Sequence, residues 1–163
     1  MGETVHPRST RKWAWLLAMI VIAVALAAVA FFVMNSNRDY TIEFIIPNDY
    51  HGVIIAEQDK DHGAEPAIKD GNIYVYTVPE TGTLLVKSFD LFERYHFTVA
   101  QYADGRAIPT STSGGKGPMA NKLDEVALRD VGSQVKGKEK PKHFMCVGNL
   151  DDYRTCRKQY GFE

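Results

Sequence analysis

The hydrophobic pattern divides the chain into two parts of different character. Residues 13–34 form an unbroken apolar run without a charged side chain, and a helix of this length is about 33 Å long. Because the hydrocarbon core of a bilayer is about 30 Å thick, the run predicts a transmembrane signal-anchor helix. Two alternatives are a buried core helix and a cleaved signal peptide, for which Ala28-Val29-Ala30 has the form of a cleavage site.

Charges on either side of this run predict its orientation. Three cations precede the run and one follows it closely: Arg8, Arg11, Lys12 and Arg38. Because cytoplasmic flanks carry an excess of Lys and Arg, we expect a cytoplasmic tail (1–12), the helix (13–34), a linker (35–39) and an exported domain (40–163). The predicted location is the inner or plasma membrane, crossed once, with the C-terminal domain periplasmic or extracellular.

From residue 40 onward, apolar and polar positions alternate with the period of two that is typical of half-buried strands. The predicted strands cover residues 40–46, 52–57, 72–78, 83–88, 94–102, 125–131 and 143–148. Polar stretches predict longer loops at residues 58–71, 107–123 and 132–142. Near the C-terminus, Asn149 is a suitable N-cap for a helix over residues 150–160, and Gly161 ends it.

This succession of short strands and turns predicts an all-β fold. We expect mainly an antiparallel sandwich or small barrel, with one N-terminal transmembrane helix and a short C-terminal helix. The aromatic strand that contains Tyr74 and Tyr76 could either pack in the core or contribute to a partner interface.

Two short motifs carry a resemblance to a known family. They are Ile46-Pro47-x-x-Tyr50-x-Gly52-x-Ile54 and Tyr76-x-Val78-Pro79-Glu80-x-Gly82. With them the chain resembles an uncharacterised bacterial family of small exported domains of unknown function. The resemblance implies an envelope location and supplies no catalytic residues.

Both motifs are interpreted as structural devices. Pro47 and Gly52 are expected to shape a first hairpin with Tyr50 packed over it, and Pro79 and Gly82 a second hairpin.

The two cysteines of the chain, Cys146 and Cys156, are close in sequence. In an oxidising compartment such a pair often forms a disulfide, which we predict here and which would contribute roughly 2–3 kcal/mol. The alternative is two unpaired thiols. A metal site would need more ligands than these two residues and the nearby His143 supply.

An acidic loop is the candidate for metal binding. Asp59, Asp61 and Glu65 alternate as in the start of a calcium loop, and Asp70 stands at the twelfth position. Ala64 occupies the position where such a loop needs glycine, and strands flank it rather than helices. A solvated loop is therefore the favoured interpretation, and a calcium-dependent binding protein or hydrolase is the alternative.

Charge and motifs together limit the function. The chain carries 19 Lys and Arg against 20 Asp and Glu, which is unlike the basic stripe of a nucleic-acid-binding protein. No histidine stands in a sequence context typical of a catalytic triad or a zinc protease, so we predict no catalytic residue and no cofactor.

We therefore expect a non-enzymatic interaction or structural module of a bacterial envelope. Its predicted partners are the lipid bilayer, through residues 13–34, and an envelope protein or polymer. An accessory subunit of a larger membrane complex is the other alternative.

Overall fold

The computed structural model describes residues 15, 19–27, 40–110, 117–120, 122–135 and 139–162. The chain divides into two compact units, Met1–Arg38 and Asp39–Glu163, which are treated separately below.

In the first unit, Trp15 and residues 19–27 are helical, and their side chains are exposed. Across the described residues, no helix is both long enough and apolar enough to cross a membrane. This finding overturns the transmembrane helix in the predicted fold class. The remainder of residues 13–34, the predicted tail (1–12) and the predicted linker (35–39) lie outside the described residues.

The described part of the second unit contains nine strands and two helices. The strands are β1 (Thr41–Ile46), β2 (Gly52–Gln58), β3 (Ala67–Lys69), β4 (Ile73–Thr77), β5 (Thr83–Val86), β6 (Phe97–Tyr102), β7 (Ala107–Ile108), β8 (Ala127–Gln134) and β9 (Lys142–Gly148). The helices are α1 (Asp90–Glu93) and α2 (Leu150–Gln159). The first sheet has the order β3-β4-β1-β6-β7, and the second has the order β5-β2-β9-β8.

Each sheet contains parallel as well as antiparallel strand pairs, and two helices accompany the sheets. The predicted all-β, mainly antiparallel fold is therefore wrong. Strand β1 pairs in parallel with β4 and with β6, and β2 pairs in parallel with β5. The physical reason is that β1 and β2 lie in different sheets, as do β4 and β5. When two such strand-turn-strand units stack side by side, neighbouring strands in each sheet run in the same direction.

The two proline motifs form these sheet-to-sheet connections, so the two predicted hairpins are also wrong. In each motif a tight turn closes with a hydrogen bond three residues along the chain: Tyr50 N–H donates to Pro47 O, and Gly82 N–H donates to Pro79 O. The second connection also bonds to the strand that follows the first, since Ile55 N–H of β2 donates to Gly82 O over 2.9 Å.

The two connections contact each other at Tyr50 and Gly82. The Tyr50 hydroxyl donates to Val53 O over 2.6 Å. Gly82 has φ = 74°, and a Cβ at this position would collide with the Tyr50 hydroxyl and lie 2.6 Å from Val53 O. A residue without a side chain is therefore required where the two corners meet.

The main core lies between the two sheets. Strand β1 contributes its fully buried side chains Ile42, Phe44 and Ile46, and β2 contributes Ile54 and Ala56. The other apolar members come from β4 to β9, from α1 and from residues next to these elements: Tyr76, Val78, Leu84, Val86, Phe89, Phe92, Ala100, Tyr102, Ile108, Leu128, Met145 and Val147. Tyr76 is thus a core residue, and burial raises its pKa to about 12.

A second, smaller core lies between the second sheet and α2. Val53 and Ile55 of β2 face this core, so β2 is covered on both faces, as its nearly continuous apolar sequence indicates. Cys146 of β9 and Cys156 of α2 form a disulfide bond within it.

The predicted C-terminal helix is present as α2. Asn149 accepts hydrogen bonds from the Asp151 and Asp152 N–H groups, and the Asp152 carboxylate accepts one from the Asn149 N–H. This reciprocal arrangement is a capping box, which supplies partners for the free N–H groups of the first turn. The disulfide from Cys156, in the second half of the helix, ties it to Cys146 of β9.

Several elements lie in stretches that the sequence analysis interpreted as loops. Strand β3 lies within residues 58–71, and its hairpin with β4 closes through Asp70 and Gly71, both with positive φ. An Asp-Gly pair is a strong hairpin signal, so this element could have been predicted. Strand β8 extends to Gln134 through a register shift between Asp130 and Gly132, which no local sequence signal indicates.

Candidate functional site

The outer face of the first sheet is the candidate site. Side chains of a strand point alternately to its two faces, so Ile42, Phe44 and Ile46 of β1 enter the core. Residues of the other parity, with their register partners on β4 and β6, form the outer face: Thr41, Glu43, Ile45, Ile73, Val75, Thr77, Phe97, Val99 and Gln101.

This face is mostly apolar and half-buried, with a carboxylate at its centre. Glu43 stands between Val75 and Val99 in the strand register and is 9% exposed. Its Oε1 accepts a hydrogen bond from Gln101 Nε2 over 3.0 Å. Its Oε2 lies 3.6 Å from Lys69 Nζ. A charged group with so little access to water is costly unless it is well paired.

Two polar groups of the outer face have unfilled hydrogen-bonding capacity. A carboxylate can accept about four hydrogen bonds, and the described residues donate one to Glu43. Thr41 is 2% exposed, and within the described ranges its hydroxyl oxygen has no hydrogen-bond partner. A buried, unsatisfied polar atom is uncommon and calls for an explanation. The outer face therefore combines an apolar surface with a central group that can accept more donors.

The acidic loop has a different arrangement from a metal site. The Asp59 carboxylate accepts hydrogen bonds from the Asp61 and His62 N–H groups, and Lys140 Nζ lies 3.3 Å from it. The hydrogen bond from His62 is the largest cause that holds the pKa of Asp59 below its usual value. These N–H groups and the ammonium occupy the oxygens that a cation would need.

The other candidate metal ligands engage separate partners. Glu65 forms an ion pair of 2.6 Å with Lys87, and the hydrogen bond from this ammonium lowers the pKa of Glu65. Asp70 lies in the turn between β3 and β4. Among the described residues, no cluster of three or more His, Cys, Asp or Glu side chains is placed to hold a metal ion.

A cluster around His143 was missed by the sequence analysis. Ser133 Oγ lies 2.7 Å from His143 Nδ1, and Asp130 Oδ1 lies 3.7 Å from His143 Nε2. In a regular strand, residues 130 and 133 would face opposite sides of the sheet, but the β8 bulge brings both side chains to His143. Because the cluster depends on this bulge and on a cross-strand pair, no short motif could have predicted it.

The chemistry of this cluster is limited by its geometry. Burial lowers the pKa of His143, with smaller opposing and reinforcing effects from Asp130 and His96. Nδ1 of the neutral ring can accept a hydrogen bond from the Ser133 hydroxyl. The separation of 3.7 Å between Asp130 Oδ1 and His143 Nε2 exceeds hydrogen-bond length. Asp130 therefore does not orient the ring as the carboxylate of a catalytic triad does, and we assign the cluster a structural role.

His143 is expected to make stability depend on pH. Its pKa in the folded protein lies below the ordinary value of 6.5, so in this range the unfolded chain binds more protons than the folded chain. The contribution of the neutral His143 to stability should therefore be complete above about pH 6.5. Below that, the free energy of unfolding should fall as the pH drops through the folded-state pKa. Urea denaturation between pH 7.5 and 5.0 measures this, with His143→Gln as the matched variant. If the free energy of unfolding depends on pH in the same way in the two proteins, the prediction is wrong.

Comparisons with known proteins give little further information. No family model and no curated protein matches the chain. The chain is similar to a solved structure described as "Putative Lipoprotein from Bacillus anthracis", with 14% identity and a TM-score of 0.40, over 66% of this chain and 68% of that one. A likeness this distant carries no argument about function.

Proposed function

We propose that the second unit is a non-enzymatic interaction module of a bacterial envelope and that the outer face of the first sheet is its contact surface. The observation that carries this proposal is the arrangement around Glu43. A carboxylate with free accepting capacity stands at the centre of a half-buried apolar sheet face. A partner that covers this face would remove apolar surface from water and could donate the missing hydrogen bonds.

The proposed location is supported by two further observations. The disulfide between Cys146 and Cys156 is typical of proteins that fold in an oxidising compartment. In the first unit, the helical residues 19–27 are apolar and exposed, and large exposed apolar surfaces mark contacts with protein or membrane. We assign this segment to contact with lipid, which does not require it to cross the bilayer.

Site-specific photo-crosslinking in living cells tests both parts of this proposal. A photoreactive amino acid is placed at Val75 on the outer face, at Val24 in the apolar segment, and at Leu85 in β5 as the control. Leu85 is 39% exposed and belongs to the second sheet. We expect a discrete protein adduct from Val75, lipid adducts from Val24, and neither from Leu85.

The outcomes separate the two parts. If Val75 gives no protein adduct, or the same adducts as Leu85, the outer face is not a contact surface. If Val24 gives no lipid adducts, the assignment of the apolar segment to lipid is wrong, whatever Val75 shows. Thermal melting of each purified variant establishes that the substitution leaves the fold intact.

A further inference from the structure

We propose that the outer face binds an extended segment of a partner protein. In this segment one lysine or arginine has an aliphatic residue two positions before it and another two positions after it, and its cation contacts the Glu43 carboxylate. This inference rests on the proposed function, and it adds the chemistry of the partner.

The state of Glu43 Oε2 is the first argument for a cation. Within the part of the chain that the structure describes, the cation paired with it is Lys69, whose Nζ lies 3.6 Å away. This separation is longer than the roughly 2.7–2.9 Å of a charge-assisted hydrogen bond. The Lys69 side chain is 59% exposed, and ion pairs with a well-hydrated partner contribute little. An incoming cation can approach Oε2 to hydrogen-bond distance and replace a weak ion pair by a stronger one.

Thr41 is the second, independent argument. It precedes Glu43 by two residues on β1, so its hydroxyl belongs to the same face. Thr41 is 2% exposed, and its hydroxyl oxygen lacks a hydrogen-bond partner among the residues that the structure describes. The face therefore has two acceptors with unfilled capacity on one strand, which favours a ligand that brings N–H donors.

The apolar surroundings define the rest of the ligand. Val75 flanks Glu43 on β4, and Ile45 follows it on β1. Val99 flanks it on β6 and already has Gly117 beside it, since a Cβ at Gly117 would lie 3.4 Å from Val99 Cγ1. Val75 and Ile45 are therefore the apolar side chains that a ligand would meet first. In an extended segment, residues two positions apart lie on the same side. Aliphatic side chains two residues before and after the cation would therefore contact these apolar residues while the cation reaches Glu43.

Two labelled peptides and the full chain in detergent micelles test this inference. The first peptide is acetyl-Ser-Val-Thr-Lys-Thr-Val-Ser-amide, and the second replaces lysine by the neutral norleucine. Fluorescence anisotropy measures both dissociation constants. We expect the lysine peptide to bind at least tenfold more tightly, because a hydrogen bond to a charged group contributes about 1.5–3 kcal/mol.

Three variants distinguish the Glu43 contact from other effects of charge. Glu43→Gln is expected to weaken the lysine peptide at least tenfold, whereas Lys69→Met should strengthen it about threefold by removing the competing ammonium. Lys87→Met is the control, because Lys87 pairs with Glu65 and is similarly exposed. It carries the same change of charge and should leave the affinity unchanged.

These results decide between the inference and the function on which it rests. Equal affinities for the two peptides, or an unchanged affinity in Glu43→Gln, overturn the inference, while a protein adduct at Val75 would still support the interaction module. Absence of that adduct overturns both. A damaged fold cannot imitate the expected pattern, because Glu43→Gln and Lys69→Met must change the affinity in opposite directions.

Discussion

Replacing Gly82 by alanine is expected to lower the free energy of unfolding by about 2–5 kcal/mol. Two costs add up at this position. A residue with a Cβ at φ = 74° loses roughly 1–2 kcal/mol through its left-handed backbone conformation. The new methyl group would also collide with the Tyr50 hydroxyl and lie 2.6 Å from Val53 O, and overpacking of this kind typically costs about 1–3 kcal/mol.

Gly71→Ala is the matched control for the backbone contribution. Gly71 has φ = 76°, and a Cβ at this position would meet no atom within 4 Å. The difference in unfolding free energy between the two variants, measured by urea denaturation, isolates the collision at Gly82. If the two variants lose equal stability, the contact between the two corners is not the reason for glycine at position 82.

The collision can also be tested by combining substitutions. In Tyr50→Phe the hydroxyl that the new methyl group would meet is absent, at the cost of its hydrogen bond to Val53 O. We therefore expect the double variant Tyr50→Phe/Gly82→Ala to be more stable than the sum of the single losses predicts. Simple additivity would mean that the hydroxyl is not what resists the methyl group, leaving the Val53 carbonyl and the ring carbon Cζ of residue 50, 3.1 Å from the new Cβ.

Elements with strong local signals could be predicted from the sequence. The helix that begins after Asn149 has a capping residue, acidic residues in its first turn and a glycine after its end, and all of these lie within the thirteen residues 149–161. The apolar run of β2 likewise indicates a strand covered on both faces. Each signal acts over a few neighbouring residues, and no distant partner changes its meaning.

The pairing of the strands could not be predicted in this way. A turn such as Pro79-Glu80-Thr81-Gly82 looks the same in sequence whether it joins two strands of one sheet or leads from one sheet to the other. Only the stacking of this turn against the corner at Tyr50 selects the second arrangement. The sheets are therefore mixed because of contacts between residues that are distant along the chain. The proposed family stays a prediction, because no family model matches.

The candidate site could not be predicted from the sequence for a related reason. The alternating pattern of β1 identifies Glu43 as a position on the polar side of a strand, which ordinarily means exposure to water. In the structure β1 is the central strand of its sheet, and β4 and β6 flank it with Ile73, Val75, Phe97 and Val99. The polar position thus becomes a nearly buried carboxylate, and its chemistry depends on neighbours that only the fold supplies.

Reduction of the disulfide is expected to lower the free energy of unfolding by about 2–3 kcal/mol. The bond joins cysteines that are 10 residues apart, and in the chain-entropy model a loop of this size gives about that stabilisation. Urea denaturation of the oxidised and reduced wild type measures the effect with every side chain kept. The variant Cys146→Ala/Cys156→Ala should lose more, because it also removes buried sulfur atoms from the second core.

The denaturant dependence shows where this stabilisation acts. A cross-link restricts the unfolded chain, so the reduced protein should expose more surface on unfolding and have a steeper dependence on urea. A loss of folded-state contacts would instead lower the midpoint without steepening that dependence. Coincident curves for the oxidised and reduced proteins would contradict the prediction. In that case the apolar contacts of α2 would suffice to hold the helix against β9.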